Sequence, residues 1–377
     1  MIPGLFVAEH EFEVPLDYGA SGETITVFAR EVADPDGRDK PWLVYLQGGP
    51  GFESPRPTGN PRGPAWLDRA LEDFRVLLLD QRGTGRSTPV TGHESVEYLT
   101  RFRADNIVRD CELIRERLDS PPWSVLGQSY GGITLLTYLS FAPDGLREAF
   151  ITGGVPGIGV HADDVFSATW KRIDTRTRRY FERYPEDRAR MLALLETEGD
   201  RIRSLGNWLG MSDGFERVHY VLELPPGSPA FIHDARDPLE LQRNPIYGLL
   251  HEACWADGFA TNWSAQRVQP ELPPEHFTSE HIFPWMFEGP LRATADALAA
   301  FEWPRLFDED VLSRNTVPVA AAIYTDDLYL ERTFSEQTVE RFPHFHAWIT
   351  SEYDHNGLRV DGDRILSRLI ELARGRA

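Results

Sequence analysis

A chain of 377 residues, 41% hydrophobic and 26% charged, has a globular composition and is long enough for one large domain with an insertion, or for two domains. Its 39 Lys and Arg against 59 Asp and Glu leave a formal charge of −20, a field that repels phosphate backbones and anionic lipid headgroups, so neither nucleic acid nor a membrane is expected as a partner. Only two cysteines occur, Cys111 and Cys254, too few and too far apart for a disulfide framework or a thiolate metal site; with no secretory-type amino terminus and no apolar run of about 18 residues, a cytoplasmic setting is expected.

In chain order, His10 to Val14 and Thr24 to Val32 alternate partly between apolar and polar. Pro15 and the stretch Asp17-Tyr18-Gly19-Ala20 separate them, which predicts an antiparallel hairpin at a sheet edge. Trp42 to Leu46, Val76 to Leu79, Ser124 to Leu126 and Ala149 to Thr152 are short apolar runs bounded by turn residues, the pattern of strands buried on both faces. Ala104 to Leu118 carries Ile107, Cys111, Ile114 and Leu118 at helical spacing, and Gly132 to Phe141 is a second helical stretch. The alternation predicts a mostly parallel sheet covered by helices on both faces, an α/β fold. From Ile158 to Phe301 the strand pattern disappears. Phe166, Trp170, Ile173, Tyr180 and Phe181, then Met191, Leu194, Leu195 and Ile202, follow helical spacing, with prolines breaking the later part into pieces. Strand patterns return at Val317 to Tyr324 and Ala347 to Thr350, and an amphipathic helix at Ile365 to Ala373 closes the chain. The expected organisation is thus a first core segment over 1–157, a helical cap over 158–301 and a second core segment over 302–377.

Gly127-Gln128-Ser129-Tyr130-Gly131 satisfies G-x-S-x-G between a strand and a helix, the context in which a sharp turn lifts a serine hydroxyl toward a base. The acid and base should follow in that order. Asp326 and Asp327 lie just past the strand ending at Tyr324, and His355 just past the one ending at Thr350, at the carboxyl ends where an open sheet gathers its reactive groups. His355 is the expected general base and Asp327 the favoured orienting acid, with Asp326 as the neighbouring candidate. Gln47-Gly48-Gly49-Pro50-Gly51 follows the strand Trp42 to Leu46; Gly49, or else Gly48, is expected to offer a backbone N–H to a developing oxyanion, with the N–H of Tyr130 as second donor. Asp80 to Ser87 is glycine-rich but matches neither nucleotide-binding pattern. His251-Glu252 begins like a zinc motif, yet Trp255 stands where its second histidine belongs, and His344 and His346 have no further ligands nearby in sequence. No metal and no cofactor is expected.

QGGPG, DQRGTGRS, GQSYGG and the late Asp and His resemble the proline iminopeptidases, α/β-hydrolase serine peptidases that release an N-terminal proline from peptides. The resemblance covers residues 40 to 155 and 315 to 360 and implies an α/β-hydrolase fold, a helical cap and a short peptide substrate with a free N-terminus. It also implies cap glutamates that hold the substrate amine: Glu252 in HEACWADG and Glu280 in TSEHIFPWMF. Gln47 stands where many members have histidine, and Tyr130 where many have tryptophan, which leaves the strictness for proline open. A carboxylesterase or amidase for neutral molecules, or a ligand-binding protein on the same scaffold, would share the core motifs.

Overall fold

The computed structural model describes residues 2–20 and 22–376. Eight strands form one sheet: β1 (Phe6–Pro15), β2 (Thr24–Ala33), β3 (Trp42–Leu46), β4 (Arg75–Leu79), β5 (Trp123–Gln128), β6 (Leu146–Thr152), β7 (Val319–Tyr324) and β8 (Phe345–Thr350), in spatial order β1-β2-β4-β3-β5-β6-β7-β8. β1 and β2 pair antiparallel from Phe6 opposite Ala33 to Pro15 opposite Thr24, and β2 pairs antiparallel with β4. The other five pairings are parallel. The expected edge hairpin is present but begins four residues earlier than its alternation suggested. Only Phe12 and Val14 of β1 are buried, so its first half carries little apolar signal.

The central strands are buried along their length apart from Gln128 at the end of β5, and alternate residues serve opposite faces. On one face Leu43, Tyr45, Leu126 and Phe150 pack against α1 (Leu67–Asp73) and the terminal helix α9 (Gly362–Ala373). On the other, Val44, Leu46, Val125 and Ile151 meet α2 (Ala104–Arg117) and α3 (Tyr130–Phe141). Leu366 and Leu369 of α9, and Ile107 and Ile114 of α2, are buried at helical spacing, which explains why each helix settles with one stripe on the sheet.

Between β6 and β7, residues 153–318 contain no strand among the described residues. They form α4 (Ala162–Arg183), α5 (Asp187–Glu198), α6 (Gly214–Glu223), α7 (Gly289–Ala299) and several shorter helical turns; the segment 158–301 expected as a cap lies within this stretch. Val165, Phe166, Thr169, Trp170, Ile173 and Tyr180 form the buried stripe of α4. A further helix, α8 (Arg332–Arg341), links β7 to β8. No helix is long and apolar enough to cross a membrane among the described residues.

Candidate active site

Ser129 sits between β5 and α3 with φ 54° and ψ −121°, a left-handed region that a non-glycine residue enters only at a cost of about 1–3 kcal/mol. The turn is held from beneath, since the Ser129 N–H donates to the Thr152 carbonyl at 3.0 Å. Its flanking glycines are required by close approach. A Cβ on Gly131 would run into the Leu46 carbonyl, and one on Gly127 into the carbonyl of Gly131.

Asp327 and His355 meet from the ends of β7 and β8. The Nδ1 of His355 lies 2.9 Å from Oδ2 of Asp327, while Oδ1 accepts from the backbone N–H groups of Tyr329 (2.9 Å) and Leu330 (3.1 Å). Both residues are buried, and these contacts satisfy the carboxylate where water does not reach it. The His355 N–H donates to the Gly210 carbonyl at 3.1 Å, and the Tyr329 ring stands edge-on to the imidazole, 4.6 Å between centroids. Asp326 turns outward to Arg179 at 3.0 Å. Of the two candidate acids, Asp327 is therefore the one in contact with the histidine. Ser129 and His355 line one cavity of about 480 Å³.

The glycine turn after β3 forms another wall of that cavity. Gly49 has φ +127°, and a Cβ on Gly48 would lie 2.7 Å from Oε1 of Gln128 and 3.1 Å from Cβ of Ser129, so the turn lies directly against the serine. The Gln47 carbonyl accepts from Nε2 of Gln81 at 3.0 Å and its side chain from the Tyr45 hydroxyl at 2.7 Å. The N–H groups of Gly48, Gly49 and Tyr130 have no acceptor among the described residues; for Tyr130 this follows from its place at the start of α3. Gln47 lines the cavity, whereas the Tyr130 side chain is buried outside it.

The two cap glutamates part company. Glu280 lines the cavity, 3.4 Å from the Tyr247 hydroxyl and 3.7 Å from Nε2 of His251. Burial, reinforced by the charge of Asp327, pushes its carboxyl well above the ordinary carboxylate range. His251 does not offset this as a cation, because burial lowers its own pKa to about 3. Glu252 does not line the cavity. Its two oxygens accept from the backbone N–H groups of Ser264 (3.0 Å) and Ala265 (2.9 Å), so it caps the start of the helical turn Ser264–Arg267.

The glycine-rich Asp80 to Ser87 loop is a structural brace. Asp80 accepts from the N–H groups of Ser54 and Arg86 and both arms of the Arg56 guanidinium, and the buried Arg82 pairs with Asp110 while donating to the carbonyls of Pro15, Leu16 and Arg101. His344 and His346 are exposed. One group of three, Glu186, Asp187 and His219, brings ligand atoms within 4.8 Å of one another among the described residues, but none of them lines the cavity and Asp187 is held by Tyr180, Arg190 and His219. Sequence reasoning passed over Gln81, Tyr247, Arg217 and Arg359. Of these only Gln81 carried a signal, its place just past the carboxyl end of β4.

A serine on a strained strand-to-helix turn, a buried Asp–His pair from later strand ends and a cavity roofed by helices define a serine hydrolase of the α/β-hydrolase class, and the profile of the alpha/beta hydrolase fold matches residues 41–200. Within that class the chain belongs to the proline iminopeptidase family. It is 43% identical to a proline iminopeptidase of Aeromonas sobria, covering 99% of this chain and 98% of that one. A second relative, the proline iminopeptidase aneH of Aspergillus aculeatus, is 31% identical over 98% of this chain and 94% of its own. Among solved structures, the proline iminopeptidase of Mycobacterium smegmatis superposes with a TM-score of 0.53 at 14% identity, covering 97% of this chain and 98% of that one. VinJ gives 0.54, also at 14%, covering 98% and 99%; at that identity the likeness concerns the fold.

Proposed function

We propose that this protein is an aminopeptidase that releases an N-terminal residue, proline above all, from short peptides through an acyl-enzyme. The observation that carries the reading is Glu280: a carboxyl with no cationic partner, on the wall of the cavity that also holds Ser129 and His355. An amine taken out of water needs opposite charge and hydrogen-bond acceptors, and Glu280 with the Tyr247 hydroxyl offers both. The relatedness to proline iminopeptidases over the whole chain supports the same assignment.

In this mechanism Oγ of Ser129 attacks the carbonyl carbon of the first residue while Nε2 of His355 takes the hydroxyl proton. Asp327 fixes the Nδ1–H tautomer and stabilises the imidazolium. The tetrahedral oxyanion receives hydrogen bonds from the Gly49 and Tyr130 N–H groups. Collapse breaks the C–N bond, the imidazolium gives its proton to the leaving amine, and water, deprotonated by His355, then releases the free amino acid and regenerates Ser129. Glu252 has no part in amine binding in this scheme, since its oxygens already serve the backbone.

The test compares a free prolyl arylamide with a neutral aryl ester. Glu280→Gln is expected to lower kcat/KM for the arylamide by roughly 30-fold to several thousand-fold, the equivalent of about 2–5 kcal/mol for one member of a desolvated charge pair, while the ester stays within a few-fold. Equal losses on both substrates would remove the amine-binding role, and no loss on either would leave a neutral-substrate esterase as the better reading.

A further inference from the structure

The cavity has a second charged region that the mechanism does not use. Arg217, from α6, and Arg359, from the short helix Gly357–Val360, both line it. Neither has a carboxylate within 4.0 Å among the described residues. Most of the arginines are paired with a carboxylate, whereas these two are exposed and have none. The Arg217 guanidinium lies over Trp208, its Cζ 3.7 Å from the ring centroid, and Nη2 of Arg359 reaches only Sδ of Met211, at 3.5 Å. Partial burial, with a smaller contribution from the nearby Arg359 charge, lowers the pKa of Arg217, and Asp213 and Glu240 oppose this from beyond ion-pair distance.

Both supports are fixed to the reaction centre. Arg359 lies four residues after His355, one turn along the same segment. Between them the Asn356 side chain accepts from the Ser212 N–H and donates to its hydroxyl, both at 3.1 Å, tying that segment to the chain that leads into α6. Arg359 also acts electrostatically on Tyr45, the residue that orders Gln47 beside the oxyanion turn. Neither arginine is paired with Glu280. The cavity therefore carries an acceptor for a cation at Glu280 and, at Arg217 and Arg359, two unneutralised donors for an anion.

We propose that Arg217 and Arg359 form a carboxylate subsite for the leaving portion of the substrate. A guanidinium pair is suited to a carboxylate because its N–H groups match the two oxygens in one plane. The leaving portion of an N-terminally cleaved peptide always ends in one carboxylate, and each extended residue advances it only about 3.5 Å. The group thus falls within the cavity for di- and tripeptides and passes beyond it for long chains. The inference rests on the aminopeptidase reading and adds a preference to it: short peptides with a free carboxyl terminus, selected at both ends by opposite charges.

The experiment measures kcat/KM for Pro-Gly-Gly and for its C-terminal amide, together with prolyl arylamide, on the intact enzyme. The wild type is expected to favour the free acid at least 10-fold, with the ratio falling as ionic strength rises because the mouth of the cavity is exposed to screening. Arg217→Gln and Arg359→Gln should each bring the acid-to-amide ratio toward one; taking the ratio within one protein cancels any general loss of active enzyme. A wild-type ratio near one with normal arylamide turnover overturns the subsite and leaves the aminopeptidase standing. A ratio that both variants preserve also overturns it. No cleavage of any of the three substrates overturns both.

Discussion

Ser129 is held in a conformation that a β-carbon disfavours, so nucleophile geometry and stability are set against each other at one position. Ser129→Gly relieves the left-handed strain, and chemical denaturation should show it more stable than wild type by up to about 1 kcal/mol while turnover falls by several orders of magnitude. A destabilised glycine variant would mean that the hydroxyl or its Cβ contributes more to packing than the strained turn costs. Glu280 carries a second conflict of this kind. Its folded pKa is raised, so the stability linked to its proton is fully present below the unfolded value near 4.5 and is lost as pH rises through the folded value. Glu280→Gln, which cannot ionise, should therefore melt higher than wild type at neutral to alkaline pH despite its loss of arylamide activity; a lower Tm throughout would contradict the raised pKa. Burial raises the Glu252 carboxyl too, but Glu252→Gln is set apart by the two backbone N–H groups its oxygens hold. It weakens a buried cap on two backbone donors and is expected to cost about 1–2 kcal/mol in unfolding free energy, with no change in the ratio of arylamide to ester hydrolysis.

At the scale of elements, α4 does two jobs with two faces. Its apolar stripe builds the helical layer, and the flank beside that stripe carries Arg172, Arg176 and Arg179 at a spacing of four and three residues. Arg172 clasps Glu331 with both arms at 2.7 Å, Arg176 bonds the Asp354 carboxylate and the Asp326 carbonyl, and Arg179 pairs with Asp326. The loops that carry Asp327 and His355 are thus gripped by one helix. Arg176→Leu should lower kcat for arylamide and aryl ester alike, by roughly 10-fold, because positioning of the base matters to both; an effect confined to KM would argue that the helix does not order these loops. The sequence made α4 legible because a long amphipathic stripe with Trp170, Tyr180 and Phe181 is a strong signal. It left α8 unread, since Ser335 and Thr338 are its only buried residues and no apolar period exists there to detect. Likewise Ser129, Asp327 and His355 were readable because strand ends and a glycine-flanked turn fix their places, whereas the separate fates of Glu252 and Glu280 depend on which loop each meets across the helical layer.

For the whole molecule, the helical layer contains a built-in acid sensitivity. His251 and His281 are both buried, and burial lowers each to a pKa of about 3. The folded state therefore holds these protons less tightly than the unfolded chain. Stability should fall as pH drops from about 6.5 toward 3, by up to about 1.4 kcal/mol per pH unit for each histidine. His281 stacks on Trp170 with 4.0 Å between centroids and bonds the Thr169 hydroxyl at 3.0 Å, so replacing it removes contacts. Neither ring nitrogen of His251 has a hydrogen-bond partner, which makes His251→Phe the cleaner test. Its unfolding free energy should decline less steeply over that interval than the wild type's, and an unchanged slope would mean that other groups govern acid unfolding.

The shielded carboxyl of Glu280 has a calorimetric consequence. When a cationic amine settles beside it, the ionised form is favoured, so over the pH range in which the empty site retains its proton, complex formation must expel that proton into the medium. The heat of binding then includes the ionisation enthalpy of whatever buffer receives it. Titrating the inert Ser129→Ala protein with a prolyl peptide in phosphate and in Tris should give different apparent enthalpies at the same pH, and adding Glu280→Gln to that protein should abolish the buffer-dependent difference attributable to this carboxyl.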